Sequence, residues 1–267
     1  MNWGLTCFFE NIRDFGQVAD IFPDSPIRYV EIRGERPFFS PADITETNLR
    51  FMKKVIEKVG LKVTLHATFY DINLASMNPF LQEANLKCYL AYLHLAKTVG
   101  AEIMVVHGGL IHKDAAGIQK LTQIARENLV HNLRKLGDAA SQNGIRIGLE
   151  NSPPNKNLLL VPNWNEQISI LREVDHPTVG AVFDMAHAHL HDLNLAEYFE
   201  YIEPHLIEIH IHNNNGREDL HLGINRGEID YGLFFREYTT DVPIIMEIRN
   251  ISEAMESIEW VRCFERK

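Results

Sequence analysis

Eight short runs of β-branched and aliphatic residues recur along the chain, and helix-period segments fill the gaps between them. They cover residues 4–8 (GLTCF), 28–34 (RYVEIRG), 62–67 (KVTLHA), 102–108 (EIMVVHG), 146–151 (RIGLEN), 179–184 (VGAVFD), 206–212 (LIEIHIH) and 243–249 (PIIMEIR). Each reads as a strand. Among the gaps, ETNLRFMKKVIEKVG, LQEANLKCYLAYLHLAKTVG and IARENLVHNLRKLGDAASQNG show helical periodicity and finish on Gly, as helices often do. Eight strands alternating with helices over about 250 residues predict an α/β chain folded as a (β/α)8 TIM barrel, one domain over residues 1–267. A doubly wound open sheet is the main rival. It usually carries a glycine-rich phosphate loop after its first strand, where this chain reads CFFENIRDFG.

The polar residues gather at one end of such a barrel. His66 ends the third run, His107 the fourth, Glu150 the fifth, Asp184 the sixth and His212 the seventh, and Glu247 nearly ends the eighth. These are positions at the C-terminal mouth, where barrel sites are built. Taken singly, a strand-end His is more often a hydrogen-bonded rim residue, and an acid there more often caps a helix. Taken together, several carboxylates at one mouth repel and raise one another's pKa. Divalent cations offset that repulsion, and zinc or manganese takes imidazole and carboxylate ligands.

Two further pairs strengthen the pattern. Asp184 and His187 are three apart in DMAH, and Asp219 and His221 two apart in DLH, spacings that let each pair reach one site. Alternation along LIEIHIH sends Glu208, His210 and His212 to one face and Ile207, Ile209 and Ile211 to the other. The isoleucines suit the helix-facing side, which turns the histidines into the barrel. His212 then lies nearest the mouth, with His210 about 6–7 Å deeper in a supporting position. His94 and His131 fall in helical segments, and His176 and His205 neighbour prolines. His112, His189 and His191 fit the rim.

Composition narrows the partners. A formal charge of −10 counts against a simple electrostatic nucleic-acid binder, although bound cations change the local field. Cys7, Cys88 and Cys263 are odd in number and far apart, which fits a reducing compartment and argues against a disulfide framework. No apolar run of about 18 residues suggests a membrane span. The first residues, MNWGLTCFFENIRDFG, lack the basic and apolar regions of a secretory signal. The expected location is cytoplasmic, with no membrane and no protein partner inferred.

The motifs, in order, are similar to those of a known group. HATFYDINLAS (residues 66–76), VVHGG, GLEN, FDMAH and DLHLGINRGEI resemble segments of the endonuclease IV (apurinic/apyrimidinic endonuclease) family within the xylose-isomerase-like barrel superfamily. The resemblance runs from His66 to Glu247. It implies a cluster of up to three divalent ions, zinc foremost and manganese in some members. His66, His107 and Glu150 would hold one ion. Glu150 would bridge to a second, held by Asp184, His212 and Glu247. His187, Asp219 and His221 would hold the third. The implied reaction is hydrolysis of a phosphodiester, in that family abasic DNA, with Glu150 or Glu247 as the catalytic carboxylate.

The departures fall in the recognition loops. Phe69 stands where the family usually has a tyrosine, HGG replaces HPG, and ENSPPNKNLLLVPNW replaces ENTAGQG. The second-strand loop lacks the DNA-inserting pattern, though Arg33, Arg36 and Phe38 stand there to meet a phosphate or base. The alternative is a sugar isomerase or epimerase on the same fold. It would hold one metal on Glu150, Asp184, His212 and Glu247, move a proton with the two glutamates, and bind a small sugar through His187 and Arg217. A third possibility is a barrel that only binds a ligand.

Overall fold

The computed structural model describes residues 1–7, 14–37 and 39–266. Phe38 lies outside the described residues. The strands, in chain order, are β1 (Asn2–Cys7), β2 (Tyr29–Arg33), β3 (Lys62–His66), β4 (Ala101–His107), β5 (Leu110–Ile111), β6 (Arg146–Glu150), β7 (Leu158–Leu159), β8 (Val179–Asp184), β9 (Leu206–Ile211) and β10 (Pro243–Met246). All but β5 and β7 close into a barrel in the order β1-β10-β9-β8-β6-β4-β3-β2, every neighbouring pair parallel. The eight runs read from the sequence are these eight strands, and the expected barrel is the fold. None of the helices among the described residues is long and apolar enough to cross a membrane.

The helices between strands carry their own start and stop signals. Glu46–Val59 is capped by the Thr45 side chain, which accepts from Asn48 N–H, and it closes at Gly60 with φ 73°. Pro79–Val99 is capped by Asn78 and closes at Gly100 with φ 78°. Glycine meets no steric penalty in that left-handed conformation. Gln119–Ser141 stops before the expected glycine, and Gly144 instead shapes the turn beyond it at φ 68°.

Two apolar layers result. Ile32, Leu65, Met104, Leu149, Phe183 and Ile209 face outward into a large core shared with helix residues such as Met52, Leu93 and Leu133. Inside the barrel, Ile103, Val105, Val182 and Ile207 form a separate small cluster. The other half of the interior is polar. Thr6, Glu31, Thr64, Glu208 and His210 are all buried there.

Ile207 departs from the alternation expected for its strand. The pairing of β8 with β9 steps from Ala181–Leu206 to Val182–Glu208 and so skips Ile207. The extra residue is a β-bulge, which resets which side chains face inward. Ile207 therefore joins the interior cluster, while Ile209 and Ile211 keep the helix-facing side. Gly148 and Gly180 make room for it. A Cβ at Gly180 would run into Ile207 Cγ2, and one at Gly148 into Val182 Cγ2.

The strands β5 and β7 were not anticipated, because two residues carry no periodicity. They pair antiparallel, Leu110 with Leu159 and Ile111 with Leu158, and tie the loop after β4 to the loop after β6.

Filling Gly180 with Ala should cost about 1–3 kcal/mol through overpacking. The reading is a lower urea midpoint at unchanged slope. Ile207→Ala, which removes Cγ2, should recover part of the loss in a double-mutant cycle, whereas plain additivity would show that Ile207 is not what the new methyl meets.

Candidate metal centre

Closing the barrel collects the polar strand ends at one mouth. His66, His107, Glu150 and Asp184 are the last residues of β3, β4, β6 and β8, and His212 and Glu247 each directly follow a strand. Asp184 also caps the short helix Met185–Leu190, its Oδ1 accepting from His187 N–H at 2.7 Å, which brings His187 over the mouth. The loop after β9 returns Asp219 and His221, the latter at φ 51°. All nine residues of the implied ligand set meet there.

Three imidazoles are pinned the same way. His66 Nδ1 donates to Ala67 O, His187 Nδ1 to Asn151 O and His221 Nδ1 to Glu247 O, each at 2.8 Å. A carbonyl only accepts, so Nδ1 carries the proton and Nε2 is turned to the mouth. His66 Nε2 faces Glu150 Oε2 at 3.1 Å, and His187 and His221 Nε2 face Asp219 Oδ2 at 3.7 and 3.3 Å. His107 Nε2 reaches Glu150 Oε2 at 2.8 Å. His212 Nε2 lies 3.3 Å from Asp184 Oδ2 and 3.5 Å from Asp219 Oδ1.

Several of these atoms are buried without a hydrogen-bond partner: Asp184 Oδ2, Glu247 Oε1, Asp219 Oδ1 and both ring nitrogens of His212. Leaving such atoms unsatisfied costs about 1–3 kcal/mol each, more when charged. A divalent cation satisfies imidazole nitrogen and carboxylate oxygen together, so the donor set fits metal. Groupings at the mouth that place their ligand atoms within 4.8 Å of one another include His66–His107–Glu150, Asp184–His187–His212, His212–His221–Glu247, His66–His210–Glu247 and Glu150–Asp184–His210–Glu247. The last two contain His210 rather than His212. His210 is nevertheless the poorer ligand, because both its nitrogens are already engaged, Nδ1 with Glu150 Oε1 at 3.0 Å and Nε2 with Glu208 Oε1 at 2.9 Å.

Charge follows the same layout. Burial opposes an imidazolium at His187, yet Asp184 and Asp219 outweigh it and push the ring up to about 10. Burial holds His107 and His221 below the ordinary histidine value. His107 is thus the neutral partner and Glu150 the charged one in their contact. Burial opposes ionisation of Glu150, and the surrounding imidazoles hold its carboxyl well below the usual range. Burial opposes ionisation of Glu247 as well, and His210 and Arg33, whose Nη1 lies 3.7 Å from Glu247 Oε1, outweigh it and lower the carboxyl. Beneath this layer, burial pushes Glu208 up to about 7 against the pull of His210.

Other residues position the set. Asn151 exchanges hydrogen bonds with the Asp184 backbone, both at 2.8 Å, besides receiving His187. Glu31 approaches His210 Nε2 at 3.3 Å and accepts from Thr6 Oγ1 at 2.6 Å. Phe69 stacks on His107, with ring centroids 4.7 Å apart and planes 5° apart. Of the three arginines expected to meet a phosphate, base or sugar, Arg36 and Arg217 are not drawn into the mouth. Arg36 is 77% exposed and paired with Asp43 at 2.9 Å, and Arg217 is exposed on its loop. Arg33 is the arginine the fold brings inside, 5.6 Å over the Phe69 ring. His189 and His191 are rim residues bonded to Asn214 and Ser152 O, and exposed His112 pairs with Asp114.

Residues 24–263 match the family model described as xylose isomerase-like TIM barrel. The chain belongs to that family. It is 29% identical over 223 residues to the uncharacterized protein MJ1311 of Methanocaldococcus jannaschii, covering 81% of this chain and 74% of that one. A solved structure described as a D-tagatose 3-epimerase-like protein superposes with a TM-score of 0.87 at 25% identity, over 100% of this chain and 97% of the other. A D-psicose 3-epimerase solved with D-fructose has the same fold, with a TM-score of 0.78 at 14% identity over 100% and 98%.

Glu208 supplies a pH test. A carboxyl that holds its proton more tightly folded than unfolded stabilises the fold below its unfolded value, about 4.3, and loses that contribution as pH rises through about 7. Metal-free Glu208→Gln should therefore gain on the order of 1–2 kcal/mol over wild type between pH 5 and pH 8. Denaturant melts at the two pH values read it, and parallel curves would show that Glu208 does not titrate there.

Proposed function

We propose that this chain is a metal-dependent isomerase or epimerase of a small sugar. The observation that carries this reading is the convergence of Glu150, Asp184, His212 and Glu247 from the successive barrel strands β6, β8, β9 and β10. The likeness over its full length to a D-tagatose 3-epimerase-like protein supports it. A divalent cation on these four residues would supply Lewis acidity to the oxygens of a hydroxy-ketone. Glu150 and Glu247 stand on opposite flanks of the set, with β8 and β9 between their strands, so one can take a proton from carbon and the other return it. Arg33 holds Glu247 from behind, and Asn151 fixes Asp184 and His187. His187, with its Nε2 turned to the mouth, is the group placed to meet a substrate hydroxyl.

A second reading is favoured by one specific observation. His66 and His107 on one flank, and His187, Asp219 and His221 on the other, supply ligand atoms beyond the four that one ion needs. A centre of up to three zinc ions acting on a phosphodiester, abasic DNA among them, would use them all.

Metal analysis of protein purified without added metal separates the two. One manganese- or cobalt-like ion per chain with turnover of a ketose supports the sugar reading. Three zinc ions, cleavage of a phosphodiester and no action on ketoses would overturn it. Glu247→Gln should lower kcat by about 10²–10⁴ with the fold intact. His107→Ala should leave sugar turnover within about tenfold if one ion suffices, and abolish activity if the His66–His107 flank holds an ion that the reaction requires.

A further inference from the structure

The buried residues of the helix Trp164–Val174 are Ile168, Ile170, Leu171, Val174 and one polar residue, Gln167. Gln167 is fully buried, and so is Tyr198 on the helix Leu195–Ile202. A buried amide is costly unless it is hydrogen-bonded. This one is bonded at both ends. Gln167 Nε2 donates to Leu149 O at 2.7 Å and to Val182 O at 2.8 Å, and Gln167 Oε1 accepts from the Tyr198 hydroxyl at 2.9 Å. A backbone carbonyl only accepts, so both amide hydrogens point at the strands and the oxygen at Tyr198. The Tyr198 ring is in turn stacked on Phe183, with centroids 4.3 Å apart and planes 11° apart.

The two carbonyls belong to different strands, Leu149 to β6 and Val182 to β8. Leu149 directly precedes Glu150, and Val182 stands two residues before Asp184. Next along β6, the Asn151 side chain accepts from the Asp184 N–H, and the Asn151 backbone carbonyl is given to His187. A side-chain amide thus ties these two strand ends at two levels, Asn151 at the rim and Gln167 beneath it. Glu150 lies between those levels in the chain. Gln167 acts from a helix outside the barrel, and its bonds end on backbone.

We propose that Gln167 is a positioning residue of the metal centre: by tying β6 to β8 it sets the spacing between Glu150 and Asp184, so that one ion can take both carboxylates. Tyr198 orients the amide that does this. Ligand oxygens must come within about 2.0–2.2 Å of an ion such as zinc, so their spacing tolerates little drift. The proposal rests on the ligand set of the sugar reading above.

The test titrates cobalt(II) into metal-free protein. Competition with a chelator reads the affinity, and the visible d–d absorption reads the coordination geometry. Gln167→Met keeps the reach of the side chain and removes the amide. It should weaken cobalt binding about tenfold or more, the range that outer partners of a metal site are worth, and shift the d–d bands. Leu171→Ala removes buried apolar volume one turn along the same helix. It should lower Tm and leave affinity and spectrum at their wild-type values. Tyr198→Phe keeps the stacked ring and releases the amide, and should weaken cobalt in the same direction by a smaller factor. Wild-type affinity and spectrum in Gln167→Met, or in Tyr198→Phe should the first variant not fold, overturns the proposal. An equal loss in Leu171→Ala overturns it too, because lost packing would then suffice. Wild-type protein that binds no cobalt overturns the metal reading itself, and the proposal with it.

Discussion

His66, His187 and His221 each give the Nδ1 proton to a backbone carbonyl, and the electrostatics of the mouth follow from that commitment. A ring held this way can offer its other nitrogen only as a lone pair or as a charged N–H. Each of those nitrogens points at a carboxylate oxygen. Lone pair against lone pair is repulsive, so the arrangement calls for positive charge between the partners. Protons supply it in part, as the raised His187 shows, and a divalent cation supplies it at several atoms at once. The backbone carbonyls thus fix ring orientation before any cation arrives, which is how outer hydrogen bonds tune a metal ligand.

The barrel beneath is built to hold this layer still. Outward residues of every strand lock into the helices, while the interior is split between an apolar cluster and a polar group around His210. His210 joins Glu150 above to Glu208 and Glu31 below. Three carboxylates sharing one imidazole, with no solvent, is costly unless a proton is shared among them. Against its burial, Glu31, Glu150 and Glu247 hold the His210 ring well above the ordinary histidine value, while burial pushes the Glu208 carboxyl up. Glu150 is therefore held from below by His210 and from the side by His66 and His107, which leaves its carboxylate little freedom.

Much of this was legible in the sequence because strand-end position and side-chain chemistry are both local. The runs from KVTLHA to PIIMEIR each place an acid or histidine where a parallel barrel opens, and closure needs only the known strand order. What was hidden depends on contacts between distant segments. Arg36 and Arg217 suit substrate oxygens by type, yet Asp43 holds the first outside and the loop leaves the second exposed. Arg33, named beside Arg36 in the same loop, does come inside, because it sits at the end of β2 and reaches Glu247. Asn151 lay within a quoted motif, and only folding shows that it clasps Asp184 and His187.

The skipped residue at Ile207 sets a limit on how β9 can change. Its lower end plugs the barrel floor, and its upper end presents His210 and His212, with the bulge adjusting the phase between the two tasks. Because side chains alternate with period two, losing or gaining one residue above the bulge would swap inward for outward. Isoleucine would enter the mouth and histidine would meet the helices. Length in this strand is therefore as tightly held as residue identity, and sequence drift here is confined to substitutions that keep the count.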